Sequence, residues 1–443
     1  MKEDNQLALN FPGFSGKKVR ADFSGGTVTS DSGLLFLSFI EKKTGIISNL
    51  TGCLFDNRHQ SYIDHTYREM LSQRIYQIAA GYEDCNDSTE LRKDPVIKTI
   101  CKRLPFSDDD LASQPTLSRL ENTVSRTMLY RMGVAFVDNF ISSYRKAPKF
   151  IVLDLDDTCD PTHGAQQLCL FNKYYDTHCY QPLHIYEGNS GNLITTVLRP
   201  GKRTSGKEVV SILKRLVKHI RSAWPKVKIM VRGDSHFGVK EVLGYCDATS
   251  LSYVFGYTVR KELSSLVDID LLQRCYHILE RDIRYFEDFD YQPMHWKHSR
   301  RVIVKMEITE NGQNIRAVVT NLKGKAKYVY DKKYCPRGQM ENLIKDHKNH
   351  LHSDRTSCSS FTANQFRLFL HSAAYVLLHA LREKGLKGTE YAKAQFDTIR
   401  NKILKVGAKV IEKASRIIFC LPGSYPYKNI FVAIHQNLAL EFT

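Results

Sequence analysis

The sequence lacks the features that mark secreted, membrane-spanning and repetitive proteins. Its 11 cysteines are odd in number and include no C-x-x-C pair, so we expect no secreted disulfide framework. Met1–Gln6 carry no apolar segment of the kind that a signal peptide needs. The longest apolar stretch, Phe366–Leu381, is interrupted by Arg367, His371 and His379, which predicts a buried helix and no membrane span. We therefore expect a cytoplasmic protein with no membrane partner.

Acidic residues are scarce relative to basic ones, with 47 Asp and Glu against 64 Lys and Arg and a net charge of +17. The basic residues are spread along the whole chain, which indicates a broad electropositive surface and not one disordered arm. Such a surface is typical of proteins that bind a polyanion, of which nucleic acids are the commonest. The alternative is a solvated surface that happens to be basic.

Changes in the residue pattern divide the chain into four predicted regions. The first is mainly helical after a short extended start, and the second and fourth form a core that the third interrupts. The third holds two alternating segments joined across Asn311-Gly312, a turn that predicts a β-hairpin. In the fourth, the pattern predicts a helix at Thr389–Ala414 and a strand at Ile430–Ile434. The regions are residues 1–147, 148–258, 259–330 and 331–443.

The second region predicts the order three strands, helix, strand, helix, strand. This is the order of a ribonuclease H-like core, in which the first three strands form a meander and later strands join through helices. We therefore expect an α/β fold: a ribonuclease H-like mixed sheet with a β-rich insertion and a mainly helical N-terminal region. The predicted elements are Ile151–Leu155, Tyr180–Tyr186, Leu193–Leu198, Gly206–Arg221, Val227–Val231, Val239–Ala248 and Leu251–Tyr257.

Carboxylates stand at the ends of two of these strands. Asp154 and Asp156 alternate along the first strand and therefore point to the same face. Asp234 comes directly after the buried strand Val227–Val231 and two further residues. A buried charge needs a partner, and a cation is one such partner. The pattern indicates a metal site, although a strand followed by charged turn residues is also common.

A third acidic position, Glu341, lies on a predicted helix with Tyr334, Arg337 and Lys348. At about 100° per residue these four side chains fall within roughly 60° of one helix face. Carboxylates from two strand ends and one helix can converge on two divalent cations, the arrangement for in-line displacement at a phosphodiester. The alternative is an exposed helix on which Arg337 and Glu341 form an ion pair.

The sequence resembles the DDE-type insertion-sequence transposases, in particular the group usually numbered thirteen-eighty. The spacing Tyr334-x2-Arg337-x3-Glu341-x6-Lys348 matches the Y-R-E-K signature of the wider superfamily at every position. Four further segments resemble family features, so the likeness covers most of the chain. They are the first-aspartate motif Leu153–Thr158, the second-aspartate motif Val231–Phe237, and the flanking segments Ala79–Asp87 and Gln114–Asn122.

The resemblance implies a catalytic site in which Asp156, Asp234 and Glu341 hold two Mg²⁺ ions, with Mn²⁺ as a substitute. Asp154 shares the face of Asp156 and stays open as a further metal ligand or as the true first acid. The resemblance also implies that Tyr334, Arg337 and Lys348 bind the DNA backbone or a displaced base near the transposon end.

Cut-and-paste transposition of an insertion-sequence element is the function that the resemblance implies. The expected partner is double-stranded DNA with terminal inverted repeats, bound by a homodimer on paired ends in the bacterial, nucleoid-associated cytoplasm. The N-terminal region would recognise the repeats, and the β-rich insertion would hold a DNA hairpin or the flanking strand. Two alternatives remain: a metal-dependent nuclease without strand transfer, and a transposase-derived DNA-binding protein.

Overall fold

The computed structural model describes residues 8–202 and 205–441. Internal contacts distinguish two compact units. The first combines residues up to Glu121 with those from Ala373 onwards, and the second spans Asn122–Ser372. None of the helices in the described part of the chain combines the length and apolar character that crossing a membrane requires.

The strands of the described residues are β1 (Leu9–Phe14), β2 (Lys17–Ala21), β3 (Val28–Thr29), β4 (Phe150–Asp157), β5 (Asp160–Pro161), β6 (Leu170–Asn172), β7 (Thr177–Tyr180), β8 (Leu183–Glu187), β9 (Leu193–Val197), β10 (Lys228–Gly233), β11 (Ser252–Tyr257), β12 (Ile283–Tyr291), β13 (Arg300–Thr309), β14 (Gly312–Thr320), β15 (Ala408–Lys413) and β16 (Arg416–Cys420).

The α-helices of the same residues are α1 (Leu34–Thr44), α2 (Ile46–Thr51), α3 (Tyr67–Ala80), α4 (Ser88–Leu91), α5 (Pro95–Ile100), α6 (Gln114–Thr123), α7 (Arg126–Ser142), α8 (Gly206–Ala223), α9 (Lys240–Ala248), α10 (Lys261–Ser264), α11 (Ile269–Leu279), α12 (Ala326–Tyr328), α13 (Gly338–Lys345), α14 (Phe361–Ala380), α15 (Phe396–Ile399) and α16 (Lys428–Glu441). Short 3₁₀ turns cover Gln60–Tyr62, Cys85–Asp87 and Cys335–Arg337, and π-helical turns cover Val329–Tyr334, Asp346–His350, Leu381–Gly385 and Arg400–Leu404.

In the first unit, the segment before α1 packs against the chain before β15. The N–H groups of Ser32 and Gly33 donate to the carbonyls of Val406 (3.1 Å) and Leu404 (3.0 Å). A Cβ atom on Gly33 would lie 2.0 Å from the Ile403 carbonyl oxygen, so only glycine permits this approach. β15 then pairs with β3 and with β16. The unit is thus built from two stretches that are distant in sequence.

The second unit is built on a large mixed sheet. Among the described residues its strand order is β12-β13-β14-β11-β10-β4-β8-β9. β4, β8 and β9 form an antiparallel meander, and β10 and β11 join in parallel beside β4. The helices α8 and α9 supply the long connections that parallel strands need. This order confirms the predicted α/β fold with a ribonuclease H-like core.

The β-rich insertion continues the same sheet. β13 and β14 form the predicted hairpin across Asn311-Gly312, where Gly312 has a φ of 103°. β14 pairs antiparallel with β11, and β12 pairs antiparallel with β13. The inserted strands therefore extend the core beyond its fifth strand, after the helices α10 and α11.

Alternation along β4 separates the apolar core from the predicted acids. Leu153 and Leu155 belong to the large core cluster that includes residues of α8 and α9. Val152 faces the other way, into a second cluster with Val329. The two predicted aspartates of β4 share the face of Val152. They therefore lie towards the helical stretch Ala326–His350, which carries the third acid.

Two predicted elements in the fourth region are wrong. Thr389–Ala414 is not one helix, because it contains α15, the π-helical turn Arg400–Leu404 and β15. The strand is set by its pairing with β3 and β16, a tertiary contact that a local pattern does not contain. The predicted strand Ile430–Ile434 lies inside α16, where Ile434 and Leu438 are buried at helical spacing.

Candidate active site

The first two predicted acids are neighbours at the carboxyl ends of parallel strands. In the register of β4 and β10, Leu155 pairs with Gly233, so Asp156 and Asp234 follow side by side. Paired strands are about 4.8 Å apart, which brings the two carboxylates within reach of a shared cation. Burial raises the pKa of Asp156 to about 7, and the charge of Asp234 adds to the rise.

Asp156 is held by Arg337, from the helical stretch that faces β4. Arg337 Nη2 donates to Asp156 Oδ2 at 2.8 Å, and the two side chains are 15% and 11% exposed. Burial raises the pKa of Asp156 more than Arg337 lowers it. The charge of Asp156 is therefore only partly compensated, and a further cation would stabilise it.

All three predicted acids act on Arg337. Burial works to lower the pKa of this guanidinium, but the charges of Asp156, Asp234 and Glu341 outweigh it and raise the pKa above its ordinary value. Glu341 lies in the first turn of α13, one turn after Arg337, and is exposed. The structure thus brings the three acids into the surroundings of one arginine.

Tyr334 lies where the same helical stretch packs on β11. A Cβ atom on Gly256 would be 2.9 Å from the Tyr334 hydroxyl oxygen and 2.9 Å from the Ser235 backbone nitrogen. Burial raises the pKa of Tyr334, and the nearby Arg337 opposes the rise. Glycine at position 256 therefore lets both the tyrosine and the residue after Asp234 approach the strand closely.

Asp154 shares the face of Asp156 but has a different partner. Arg232 on β10 donates to both of its carboxylate oxygens at 2.5 Å, and the two side chains are only 3% and 4% exposed. Arg232 also donates to the Lys333 carbonyl at 2.7 Å. A Cβ atom on Gly188 would lie 2.5 Å from Asp154 and 2.6 Å from Arg232. Asp154 thus belongs to a closed, buried ion pair.

Lys348 ties the far end of the helical stretch to the chain just after Asp156. Its Nζ donates to Thr158 Oγ1 at 3.1 Å and to the Cys159 carbonyl, and lies 3.6 Å from Asp160 Oδ1. Asp160 is fully buried; burial raises its pKa to about 7, and Lys348 opposes the rise. Arg337 and Lys348 therefore contact successive parts of one chain segment.

The sequence did not predict which residues contact Asp234 and Asp157, the neighbour of Asp156. His236 Nδ1 lies 3.6 Å from Asp234 Oδ2 and 4.0 Å from Asp157 Oδ1, and Arg199 donates to Asp157 at 2.8 Å. Burial raises the pKa of Asp157, but His236 and Arg199 outweigh it and hold the pKa below its ordinary value. Arg232, two residues before Asp234, could have been placed on the acid face by strand alternation.

The donor chemistry fits a divalent cation, although the ligands are not assembled in this conformation. Within residues 8–202 and 205–441, no three His, Cys, Asp or Glu side chains form a group that could hold a metal ion. Asp156 and Asp234 are nevertheless adjacent carboxylates, and oxygen donors are the ligands that Mg²⁺ and Mn²⁺ prefer. The undercompensated charge of Asp156 is the observation that favours a cation here.

A ribonuclease H-like core with adjacent carboxylates at its strand ends is a scaffold for phosphodiester chemistry on a nucleic acid. The sequence profile of the family described as transposase DDE domain group 1 matches residues 11–441. The chain therefore belongs to this transposase family, as the sequence resemblance predicted. It is a DNA transposase of the DDE type, a family that generally uses divalent metals.

The fold also shows a distant similarity to solved structures, for example to one transposase complex. It is the cryo-EM structure of the piggyBac transposase synaptic complex with hairpin DNA, at a TM-score of 0.42 and 11% sequence identity. The alignment covers 85% of this chain and 80% of that chain. A comparison with curated proteins found no match.

Proposed function

We propose that the chain moves an insertion-sequence element by cut-and-paste, with Asp156, Asp234 and Glu341 holding two Mg²⁺ ions that Mn²⁺ can replace. The observation that carries the proposal is the register of β4 and β10, which makes Asp156 and Asp234 neighbours. The influence of Glu341 on the same arginine supports its inclusion. When bound, the ions would activate water or a 3′-OH and stabilise the leaving oxygen.

Asp156, and not Asp154, is the first acid of this proposal. Burial raises the pKa of Asp154 as well, but both of its carboxylate oxygens accept hydrogen bonds from Arg232 in a closed, buried pair, so neither oxygen is open to a cation. Asp156 has one hydrogen bond from Arg337, at Oδ2, and one from the Asp157 backbone N–H, at Oδ1 (3.1 Å), and burial raises its pKa to about 7. Of the two, Asp156 therefore has more to gain from metal binding.

Three residues of the helical stretch would position the DNA. Arg337 can exchange a carboxylate for a phosphate oxygen, because a guanidinium binds both with the same planar geometry. Lys348 can bind a neighbouring phosphate as a point charge. Tyr334 lies beside Arg337 and within the influence of Asp234, where its ring can contact the strand that is cleaved.

The remaining assignments follow from the need to bring two ends together. We assign double-stranded DNA with terminal inverted repeats as the substrate and a homodimer as the species that pairs the ends. The mainly helical region 1–147 would recognise the repeats, and the insertion 259–330 would hold the flanking strand. The net charge of +17 supports binding of a polyanion by surfaces beyond the catalytic site.

The proposal is tested by excision from a donor plasmid that carries the coding region between its native flanks. The unmodified chain should release the element in Mg²⁺ or Mn²⁺ and should be inactive in Ca²⁺ or chelator. Glu341→Gln should abolish release but retain DNA binding, whereas Glu390→Gln, a control at an exposed glutamate in the loop before α15, should leave release intact. Normal release by Glu341→Gln would overturn the proposal.

The products separate the proposed function from its two alternatives. Insertion of the released element into a second plasmid supports cut-and-paste transposition. Cleaved ends without any joined product identify a metal-dependent nuclease that lacks strand transfer. Binding without cleavage by the unmodified chain identifies a transposase-derived DNA-binding protein.

A further inference from the structure

A cavity of about 480 Å³ opens beside the two strand-borne acids in the second unit. One side is formed by Ser235 and His236, the residues directly after Asp234. Another is formed by the β6–β7 hairpin, whose turn carries Lys173, Tyr174 and Tyr175. We call this space the hairpin cavity. Its volume is ample for one nucleotide, since small-molecule sites commonly occupy about 300–1,000 Å³.

The hairpin presents aromatic rings that have no role in the core. Tyr174 is 81% exposed and Phe171 is 52% exposed, and both line the cavity. The rings of Tyr174 and Tyr175 are perpendicular, with centroids 4.8 Å apart. The turn is fixed by Asn172, whose Oδ1 accepts from the Tyr174 N–H at 2.9 Å and whose Nδ2 donates to the Gly201 carbonyl at 2.9 Å. Exposed rings on a fixed turn are suited to stacking with a flat partner.

The polar groups of the cavity are suited to a nucleotide. Lys173 and Lys202 line it and supply positive charge for phosphates. Gln181 also lines it and is 5% exposed, so its side chain packs into the cavity wall. Aromatic rings beside lysines match a nucleotide, because the base can stack on a ring and the phosphates can bind the positive charges.

A second cavity of about 360 Å³ adjoins the first, because both are lined by Ser235 and Thr258. Its lining includes the basic residues Lys240 and Arg260. Ser235 follows β10 and Thr258 follows β11, so the two cavities form one trough along the carboxyl ends of the core strands. A strand of DNA that follows this trough passes Asp234 and reaches the aromatic turn.

We infer that the hairpin cavity binds an unstacked base of the DNA strand beside the scissile phosphate. Tyr174 stacks on the base, with Tyr175 behind it, and Lys173 and Lys202 contact the phosphates on either side. Tyr174 is a positioning residue: it fixes the nucleotide, and thereby sets where the adjacent phosphate lies relative to Asp156 and Asp234. The inference rests on the proposed function, because it places the DNA that the proposed reaction would cleave.

The first test compares single substitutions on a labelled DNA end that the unmodified chain cleaves. Tyr174→Ala should lower cleavage roughly 5- to 150-fold, the range that loss of one aromatic–base stack produces. Tyr174→Phe keeps the ring and should restore cleavage. The control is Val432→Ala on α16, an exposed apolar side chain in a region to which no DNA contact is assigned; it should cleave normally. All three should unfold at the temperature of the unmodified chain.

The second test removes the base instead of the ring. Ends with one abasic site at each position around the cleaved bond are compared for the unmodified chain and Tyr174→Ala. At one position the abasic site should lower cleavage by the unmodified chain to the level of Tyr174→Ala, and should lower the variant no further. If the abasic site lowered cleavage by Tyr174→Ala as strongly as cleavage by the unmodified chain at every position, the inference would be overturned. Normal cleavage of intact ends by Tyr174→Ala would overturn it as well.

These results are distinguishable from failure of the proposed function. If Glu341→Gln is inactive while Tyr174→Ala cleaves normally, the base-binding inference fails and the catalytic proposal stands. If Glu341→Gln cleaves normally, the catalytic proposal fails, and the base-binding inference, which depends on it, is overturned with it.

Discussion

Two aspartates on one face of β4 are paired with arginines in opposite ways. Asp154 receives two hydrogen bonds from Arg232 on the adjacent strand, and both side chains are almost completely buried. Asp156 receives one hydrogen bond from Arg337, which comes from a separate helical stretch, and both side chains keep some exposure. The first pair belongs to the sheet, and the second joins the sheet to a separate helical stretch.

Because of this difference, we expect Asp154 to stabilise the sheet and Asp156 to be the carboxylate that can bind a new ligand. A charge that is fully hydrogen-bonded inside a sheet gains little from a new ligand, and it destabilises the fold when its partner is lost. A charge whose partner lies on another element can exchange that partner for a metal ion or a phosphate. Arg337 ends a 3₁₀ turn that follows the π-helical turn Val329–Tyr334, and π-helical turns are frequent at functional sites.

The largest expected effect is on catalysis at the second pair. Asp156→Asn should lower end cleavage by at least roughly 10²- to 10³-fold, the scale of losing one preorganised charge at a transition state. The metal-free protein should not lose stability. Burial raises the pKa of Asp156 and so destabilises its charged form, and the side chain of asparagine carries no charge. Cleavage of a labelled end and thermal unfolding measure the two effects. If Asp156→Asn cleaved normally, Asp154 would be the better candidate for the first acid.

Removing each arginine in turn should lower the free energy of unfolding by different amounts for the two pairs. Arg232→Met should lower the free energy of unfolding by about 3–5 kcal/mol, because it leaves a buried carboxylate unpaired. Arg337→Met should cost less, because Asp156, whose pKa burial already raises to about 7, can take up a proton when its partner is lost. Denaturant unfolding with an unchanged m-value provides the comparison. Equal losses in the free energy of unfolding would show that the two ion pairs contribute equally to stability.

Two glycines allow the same comparison without changing a charge. Gly188→Ala places a methyl group 2.5 Å from Asp154 and should lower stability by about 1–3 kcal/mol through overpacking. Gly256→Ala places one 2.9 Å from the Tyr334 hydroxyl and should lower cleavage by up to roughly 10²-fold through misplacement of the site. If Gly188→Ala lowered cleavage more than Gly256→Ala at equal stability, the assignment would be reversed.

A further expected effect concerns Lys348 and its buried partner Asp160. Lys348→Met should lower stability by about 1–3 kcal/mol, because Asp160 loses its neighbouring charge. Adding Asp160→Asn should restore that stability. If Lys348 also binds DNA, the double variant should still cleave more slowly than the unmodified chain. Full recovery of cleavage in the double variant would limit Lys348 to a structural role.

The strand-borne half of the site was predictable because strand geometry is regular. Alternation placed Asp154 and Asp156 on one face, and the order of elements predicted the core to which β10 and Asp234 belong. The partner of Asp154 was not predicted, because Arg232 becomes its neighbour only through the pairing of β4 with β10. Register is a tertiary property, and the sequence of one strand does not contain it.

The helix-borne half was predictable only in part. The expectation of a single face assumed a regular rise of about 100° per residue, whereas the stretch contains 3₁₀ and π-helical turns. Arg337 nevertheless contacts Asp156 and is within the electrostatic influence of Glu341, whereas Lys348 contacts Thr158 and the Cys159 carbonyl. The hairpin cavity was not foreseen, because its lining comes from segments that only the fold brings together.

Mn²⁺ binding tests the central claim most directly, because it needs neither a DNA end nor turnover. Electron paramagnetic resonance can count tightly bound Mn²⁺ for the unmodified chain, Asp156→Asn and Asp154→Asn, at a temperature where all three are folded. We expect Asp156→Asn to lose tight Mn²⁺ binding and Asp154→Asn to keep it. Loss of binding in Asp154→Asn with normal binding in Asp156→Asn would contradict the account.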